Sequence, residues 1–312
     1  MTMPATIFEE PSFSHVTVMP EEVVASFAGI EGLVIDATAG GGGHSHALLS
    51  RYPGLRLLAF DRDEAAVRAA SQRLSEFGLR ARVEHLSFSR IAERLDELGI
   101  AQIDGIIADL GVSSQQLALA DRGMSFRTEG PLDMRMDTSS GETAAELIER
   151  VSQEELADII YDLGEERGSR RIARCIKQAL ARGELTTTLD LRRAVVKAIG
   201  PRRIGGVDPA TRTFQALRMA VNAELDELSA ILELSRERLV DGGVAAFISF
   251  HSLEDRRVKR EFMKRDFWQR LTPKPIMAGE SEQAENPRSR SAKLRVGRRY
   301  TALSFDVDGE EE

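Results

Sequence analysis

Asp61 closes one short apolar run, LRLLAFD (55–61), and Asp109 closes another, IDGIIAD (103–109). A carboxylate in the position of Asp61 can accept from both hydroxyls of a ribose. Between a third apolar run, LVIDA (33–37), and the segment HSHALLSRY stand four consecutive glycines, Gly40 to Gly43. Glycine loses more backbone freedom on folding than any other residue, so four together point to a ligand that comes close to the main chain. Three ligands compete for such a turn. A phosphate-cradling NTPase loop needs a Lys after the glycines, and none follows. The dinucleotide fingerprint G-x-G-x-x-G is met by Gly40 and Gly42, but Ser45 stands in its third position. S-adenosylmethionine packs its amino-acid end against a looser glycine turn, and Asp61 suits either ribose-bearing ligand. Two more stretches carry chemistry: PLDMRMD (131–137), where Asp133, Arg135 and Asp137 alternate with apolar residues, and SFHSLED (249–255), which contains His251.

Positioning these groups requires a sheet. LVIDA, LRLLAFD, RVEHLSF (82–88) and IDGIIAD read as strands, with helical segments at HSHALLSRY and 63–78. Apolar strands alternating with helices predict a parallel, doubly wound α/β sheet. The pattern stops after Asp109. Residues 118–142 read as a polar loop, and from 143 to 199 the periodicity is helical without a strand, with a Ser152/Glu155 capping box. Asp208-Pro209 opens a further helix with Phe214, Leu217, Val221, Leu225 and Leu228 on its apolar face, stopped by Gly242-Gly243. A strand follows at GVAAFISF (243–250), and 273–292 reads as a long loop. The expected division is therefore residues 1–117, a helical insert at 118–208, and a second sheet segment at 209–312.

The 312 residues suit roughly two domains of about 150 each. A 42% hydrophobic and 29% charged composition is that of a soluble globular chain. Neither a secretory signal nor a membrane-length apolar run is present, and the single cysteine, Cys175, excludes an internal disulfide and a multi-thiolate metal site. A cytoplasmic location is expected. The net charge of −8 argues against a protein that coats nucleic acid indiscriminately. Basic residues nevertheless gather late: six Arg/Lys without an acid in 286–300, and six against one Glu in 256–265. Together these runs predict a phosphate-facing patch.

The motifs GGGGHS, DLGVSSQQL (109–117), GPLDMRMD (130–137), DLGEERGSRRIAR (162–174), PATRTFQALRMAVNAEL (209–225) and SFHSLEDRRVKR (249–260) occur in the order of one family. The chain resembles ribosomal RNA small subunit methyltransferase H, the family that methylates N4 of a cytidine in 16S rRNA, from about residue 14 to residue 300. The resemblance implies a class I S-adenosylmethionine-dependent methyltransferase, a Rossmann-like doubly wound sheet with an inserted all-helical domain for substrate recognition. It places Gly42, Gly43 and His44 on the methionine part of the cofactor, Asp61 on the ribose and Phe88 against adenine, with Asp109 and Gln116 completing the pocket. Gln115 and Ala118 depart from the family's usual Pro and Asp, and SHVTVM (14–19) stands where HTTVL is common.

The chemistry is limited by the nucleophile, because the cytosine amine shares its lone pair with the ring. Positioning in line with the methyl carbon helps. So do acceptors for the amine hydrogens. Asp109 is the foremost candidate acceptor, with Asp133, Asp137 and His251 behind it. No metal is required, and no His/Cys/Asp cluster shows metal-ligand spacing. The target base must leave its stack. Arg212, Arg218, Arg256, Arg257, Lys259, Arg288 and Arg290 are expected to hold phosphates. The expected partner is 16S rRNA within the assembled small subunit, and a homodimer is left open. The alternatives are a methyltransferase of another nucleic acid or a small molecule, a non-catalytic nucleotide-binding adaptor and, more distantly, a dehydrogenase.

Overall fold

The computed structural model describes residues 16–201 and 207–300. One sheet is built from β1 (Gly32–Asp36), β2 (Leu55–Asp61), β3 (Ala81–His85), β4 (Ile103–Asp109), β5 (Leu239–Ser249), β6 (Trp268–Arg270) and β7 (Lys293–Arg299). The order is β3-β2-β1-β4-β5-β7-β6. Strands β1 to β5 run parallel, and β7 is antiparallel to both β5 and β6. The direction of winding reverses between β1 and β4, and open α/β sheets bind ligands at the carboxyl ends of the strands at such a point. This is an open, Rossmann-like, doubly wound α/β sheet with β7 inserted antiparallel between β5 and β6.

Successive residues of a strand face opposite sides, so each apolar strand feeds two cores. Val34, Leu57, Ile107 and Ile248 face a core shared with α1 (Pro20–Ser26) and α2 (Gly43–Arg51). Their neighbours Ile35, Leu58, Ile106 and Phe247 face the other. That second core packs on α4 (Phe88–Glu97), α11 (Glu224–Arg238) and α12 (Ser252–Phe262). Helix α3 (Glu64–Leu74) connects β2 to β3, and the short α5 (Ser114–Ala118) follows β4.

A third core is mainly helical. It joins α6 (Ala144–Arg150), α7 (Gln153–Gly164), α8 (Ser169–Ala181), α9 (Thr188–Ile199) and α10 (Thr211–Val221). Capping boxes open three of these helices: Thr143/Glu146, Ser152/Glu155 and Thr187/Asp190. Helix α10 lies beyond the expected insert boundary at 208, yet its Phe214 and Leu217 belong to this helical core.

Several local expectations change. The long helix after Asp208 is two, because Ala223 adopts a left-handed φ of 47°. At that break Asn222 donates to the carbonyl of Met134 and accepts from the N–H of Met136. The run RVEHLSF is strand only to His85, and Phe88 starts α4, which period-2 reading missed. Within 273–292 lie α13 (Glu280–Glu285) and a 3-10 turn at Pro287–Ser291. Part of the basic C-terminal run is β7, where Arg295 is buried and pairs with Asp255 at 2.7 Å.

Candidate active site

The carboxyl ends of β1, β2 and β4 each carry an aspartate: Asp36, Asp61 and Asp109. Asp36 is fully buried and serves as a floor, accepting from Thr38 N at 3.0 Å and Ser45 Oγ at 2.6 Å. The hydroxyl at the third fingerprint position thus replaces glycine with a bond to the strand end. Burial pushes the Asp36 carboxyl up. Asp61 accepts from the N–H of Gly40 at 2.8 Å and of Asp63 at 2.8 Å. Burial nevertheless pushes its carboxyl up to about 6.

A cleft opens over these ends, lined by Thr38, Gly40, Asp61, Phe88, Asp109 and Gln116 among others. It holds about 80 Å³. Pockets for nucleoside-sized ligands run from about 300 Å³, so lining side chains must move for one to enter. Arg288 spans one wall. Its guanidinium meets Asp109 bidentately at 3.0 and 3.1 Å, donates to the Leu110 carbonyl at 3.2 Å, and lies 4.0 Å from the centre of the Phe250 ring. Gly111 and Arg288 also line a hollow of about 820 Å³ between the sheet and the helical core. Phe126, Phe214, Gln215, Phe250 and His251 contribute to that hollow.

The expected cofactor residues divide. Asp61, Phe88, Asp109 and Gln116 line the cleft. Gly42, Gly43 and His44 do not. The close approach their sequence predicts is to the chain itself: a Cβ on Gly42 would lie 3.3 Å from Ala70 Cα, and one on Gly43 would collide with Thr17. His44 is buried, with Nε2 2.8 Å from the Val18 carbonyl oxygen. Gly40, with a φ of 51°, is the glycine that faces the cleft. Gln116 donates to Asp63 at 2.7 Å and accepts from Ser113 N at 2.9 Å. Asp63 also receives Arg122 at 2.9 Å, and sequence reading missed this link between the sheet and the loop after α5. The side chain of Gln115 lies outside the described residues, as do Ser14 and His15.

Three of the expected proton acceptors are otherwise engaged. Asp133 forms a two-point pair with Arg135 at 2.8 and 2.9 Å. Partial burial works the other way, but the Arg135 pair holds the Asp133 carboxyl below its usual range. Asp137 caps a turn through Ser139 and Ser140. Neither lines the cleft or the hollow. Met134, between them, and Leu132, just before Asp133, plug the helical core. His251 is the N-cap of α12, with Nδ1 accepting from Glu254 N at 3.5 Å. Its buried Nε2 lies 3.1 Å from Glu254 Oε1 without hydrogen-bond geometry. Glu224 closes this group, and ligand atoms of Glu224, His251 and Glu254 all fall within 4.8 Å of one another. Sequence spacing showed no such cluster, because α11 and α12 meet only in the fold. Arg218 already neutralises Glu224 through bonds of 2.7 and 2.9 Å.

The expected phosphate ligands change most. Arg218 and Arg288 are largely buried and saturated by Glu224 and Asp109. Arg256 pairs with Glu165 at 3.0 Å, and Arg212 lies 3.8 Å from Glu166. Arg257 bonds to Ser229 and the Leu225 carbonyl, and Arg290 to the Gln283 carbonyl. Lys259 is exposed. A charge count along the sequence cannot see these acidic partners, which come from distant elements.

Residues 12–300 match the model of the MraW methylase family. The chain belongs to that family. A ribosomal RNA small subunit methyltransferase H from Sorangium cellulosum is 60% identical over 91% of this chain and 90% of that protein. A protein of the same name from Prochlorococcus marinus MIT 9303 is 50% identical over 97% of this chain and 99% of its own length. A third, from Synechococcus sp. CC9902, is 51% identical over 93% and 98%. In this methylase Asp61 and Asp109, at two of the strand ends, line the cleft.

Proposed function

We propose that this methylase transfers a methyl group from S-adenosylmethionine to the N4 amine of a cytidine in the 16S rRNA of the small ribosomal subunit. One observation supports the reading: the cleft over β1, β2 and β4 and a second, larger hollow share Gly111 and Arg288. The names of the relatives supply the substrate class. The donor set fits the cofactor, since Asp61 offers a carboxylate for two ribose hydroxyls, Phe88 a flat apolar wall, and Gly40 an unobstructed backbone. When bound, S-adenosylmethionine supplies a methyl group already activated by its sulfonium.

The chain's own work is positional. Arg288 fixes the Asp109 carboxylate in one plane, and a carboxylate retains accepting lone pairs beside a bidentate partner. Asp109 accepts an amine hydrogen and so favours a pyramidal, nucleophilic nitrogen. Phe250, with Arg288 on one face, offers an aromatic surface to a base in the hollow. Met124, Met136 and Val112 form a small apolar cluster beside the cleft that keeps water out. We assign Asp61, Phe88, Asp109 and Gln116 to the cofactor, and residues 118–222 to a helical substrate-recognition unit. The cytoplasm is the proposed location, where assembled small subunits are found. Among the described residues no helix is long and apolar enough to cross a membrane.

The test offers tritiated S-adenosylmethionine with unmethylated small subunits, naked 16S rRNA or duplex DNA. Labelled N4-methylcytidine, greatest with subunits, is the expected result. Cofactor binding without transfer to any of the three would refute the assignment.

A further inference from the structure

The phosphates of an RNA substrate need partners, and the arginines that sequence assigns to them are largely spent on acids within the chain. Another basic surface is not. Residues 167–182 carry six Arg/Lys and no acid. Lys177 turns inward to the carbonyls of Ile148 and Val151. Arg167, Arg170, Arg171, Arg174 and Arg182 remain exposed. Arg170 approaches Asp158 only at 3.8 Å, with both side chains mostly in solvent. Arg167, Arg171, Arg174 and Arg182 have no ion pair among the described residues.

Folding gives no reason for this charge. Helix α8 has no acid in its first turn and places Arg170 and Arg171 there, where the helix dipole opposes cations. Its core face is satisfied by Ile172, Ala173 and Ile176. Beside the arginines stands Tyr161, 57% exposed on α7. Tyr161, Arg167, Arg170 and Arg171 rim a shallow depression of about 250 Å³, with Asp158 the one carboxylate among its lining residues. An exposed aromatic ring amid unpaired guanidinium groups is the combination that binds single-stranded nucleic acid, by stacking a base and neutralising its phosphates. The face is also joined to the site. Glu165, just before Arg167, bonds to Arg256 and Ser252 of α12, and Arg212 approaches Glu166. His251, which caps α12, lines the hollow.

We infer that the exposed face of α8, with Tyr161 as its stacking surface, grips unpaired rRNA flanking the target cytidine. The inference rests on the rRNA reading above and deepens it. It makes the helical unit, rather than the C-terminal run, the main electrostatic contact.

Two variants test it in the full chain, R170E/R171E/R174E and Y161A, with 16S rRNA transcript and small subunits as probes. Each lost phosphate contact removes about 0.7 from the slope of log K against log salt for single strands, so the triple variant should lose about 2. Its KM for subunits should rise at least tenfold with kcat, cofactor affinity and melting temperature unchanged. Tyr161→Ala should weaken rRNA binding by roughly tenfold with little change in the salt slope. The lysine triple, R170K/R171K/R174K, should restore the slope. Wild-type affinity and slope in the reversed-charge variant would overturn the inference, as would loss of rRNA and cofactor binding together. A wild-type chain that bound rRNA through this face but transferred no methyl would defeat the proposed reaction and leave the face standing.

Discussion

With Asp61 on the ribose, as proposed, cofactor affinity should depend on pH. Its carboxyl is raised to about 6, with burial the leading cause, while the N–H groups of Gly40 and Asp63 only partly offset that burial. The ribose hydroxyls are best bound by the ionised form. Affinity is then fully present above pH 6 and lost as pH falls through it. The observed dissociation constant scales as one plus the ratio of protonated to ionised Asp61. That is about elevenfold weaker at pH 5 than at pH 8, or roughly 1.4 kcal/mol, and only about 1.1-fold weaker at pH 7. Binding at pH 6 should release about half a proton, because the free carboxyl is then half protonated and the bound one ionised. Isothermal titration of S-adenosylmethionine in two buffers of different ionisation heat measures both quantities. Asp61→Asn is the control: weaker at every pH, with the step near pH 6 gone. An affinity flat from pH 5 to 8, or a step that survives in Asp61→Asn, would refute the reasoning and move the titration to another group such as Asp36.

Arg288→Ala leaves the Asp109 carboxylate largely buried without its partner, which should cost about 3 kcal/mol of stability in denaturant titration and reduce methyl transfer sharply. Arg288→Lys keeps the charge but loses the two-point fork, so it should recover stability more than turnover. Gly43→Ala should lower the melting temperature because its new methyl collides with Thr17, and adding Thr17→Gly should recover most of the loss. If Gly43→Ala instead weakened cofactor binding at unchanged stability, Gly43 would be a ligand contact after all.

The five parallel strands were legible in the sequence because their signal is local, whereas β6 and the antiparallel β7 went unread. Apolar strands, each followed by an acid or a glycine turn, fix strand identity, and right-handed connections leave few ways to arrange them. Asp61 and Asp109 stood out for the same reason, as charges at the ends of runs otherwise buried on both faces. The capping boxes and helical periodicity of 143–199 likewise needed no tertiary information. Helix α4 was lost because β3 is followed by LSF (86–88), which continues the strand pattern across a turn. The division of α10 from α11 escaped notice because Ala223 is an ordinary helix former, and the bend is held by tertiary bonds such as those of Asn222 to Met134 and Met136.

The sequence by itself therefore determined the fold class and the two carboxylates at the strand ends, while the strand order that places the switch point between β1 and β4 came from the structure. Tertiary structure decided which charges are free. Arg218, Arg288 and Arg295 read as a basic surface along the chain, but Glu224, Asp109 and Asp255 reach them from other elements. Asp133, Asp137 and His251 read as acceptors, but Arg135 and Ser139 bond to the two carboxylates, and the Nδ1 of His251 accepts from the Glu254 N–H. Electrostatic pairing acts across a few ångströms of space and takes no account of sequence separation. The same blindness hid the arginines of α8, of which Arg171 and Arg174 have no ion pair among the described residues.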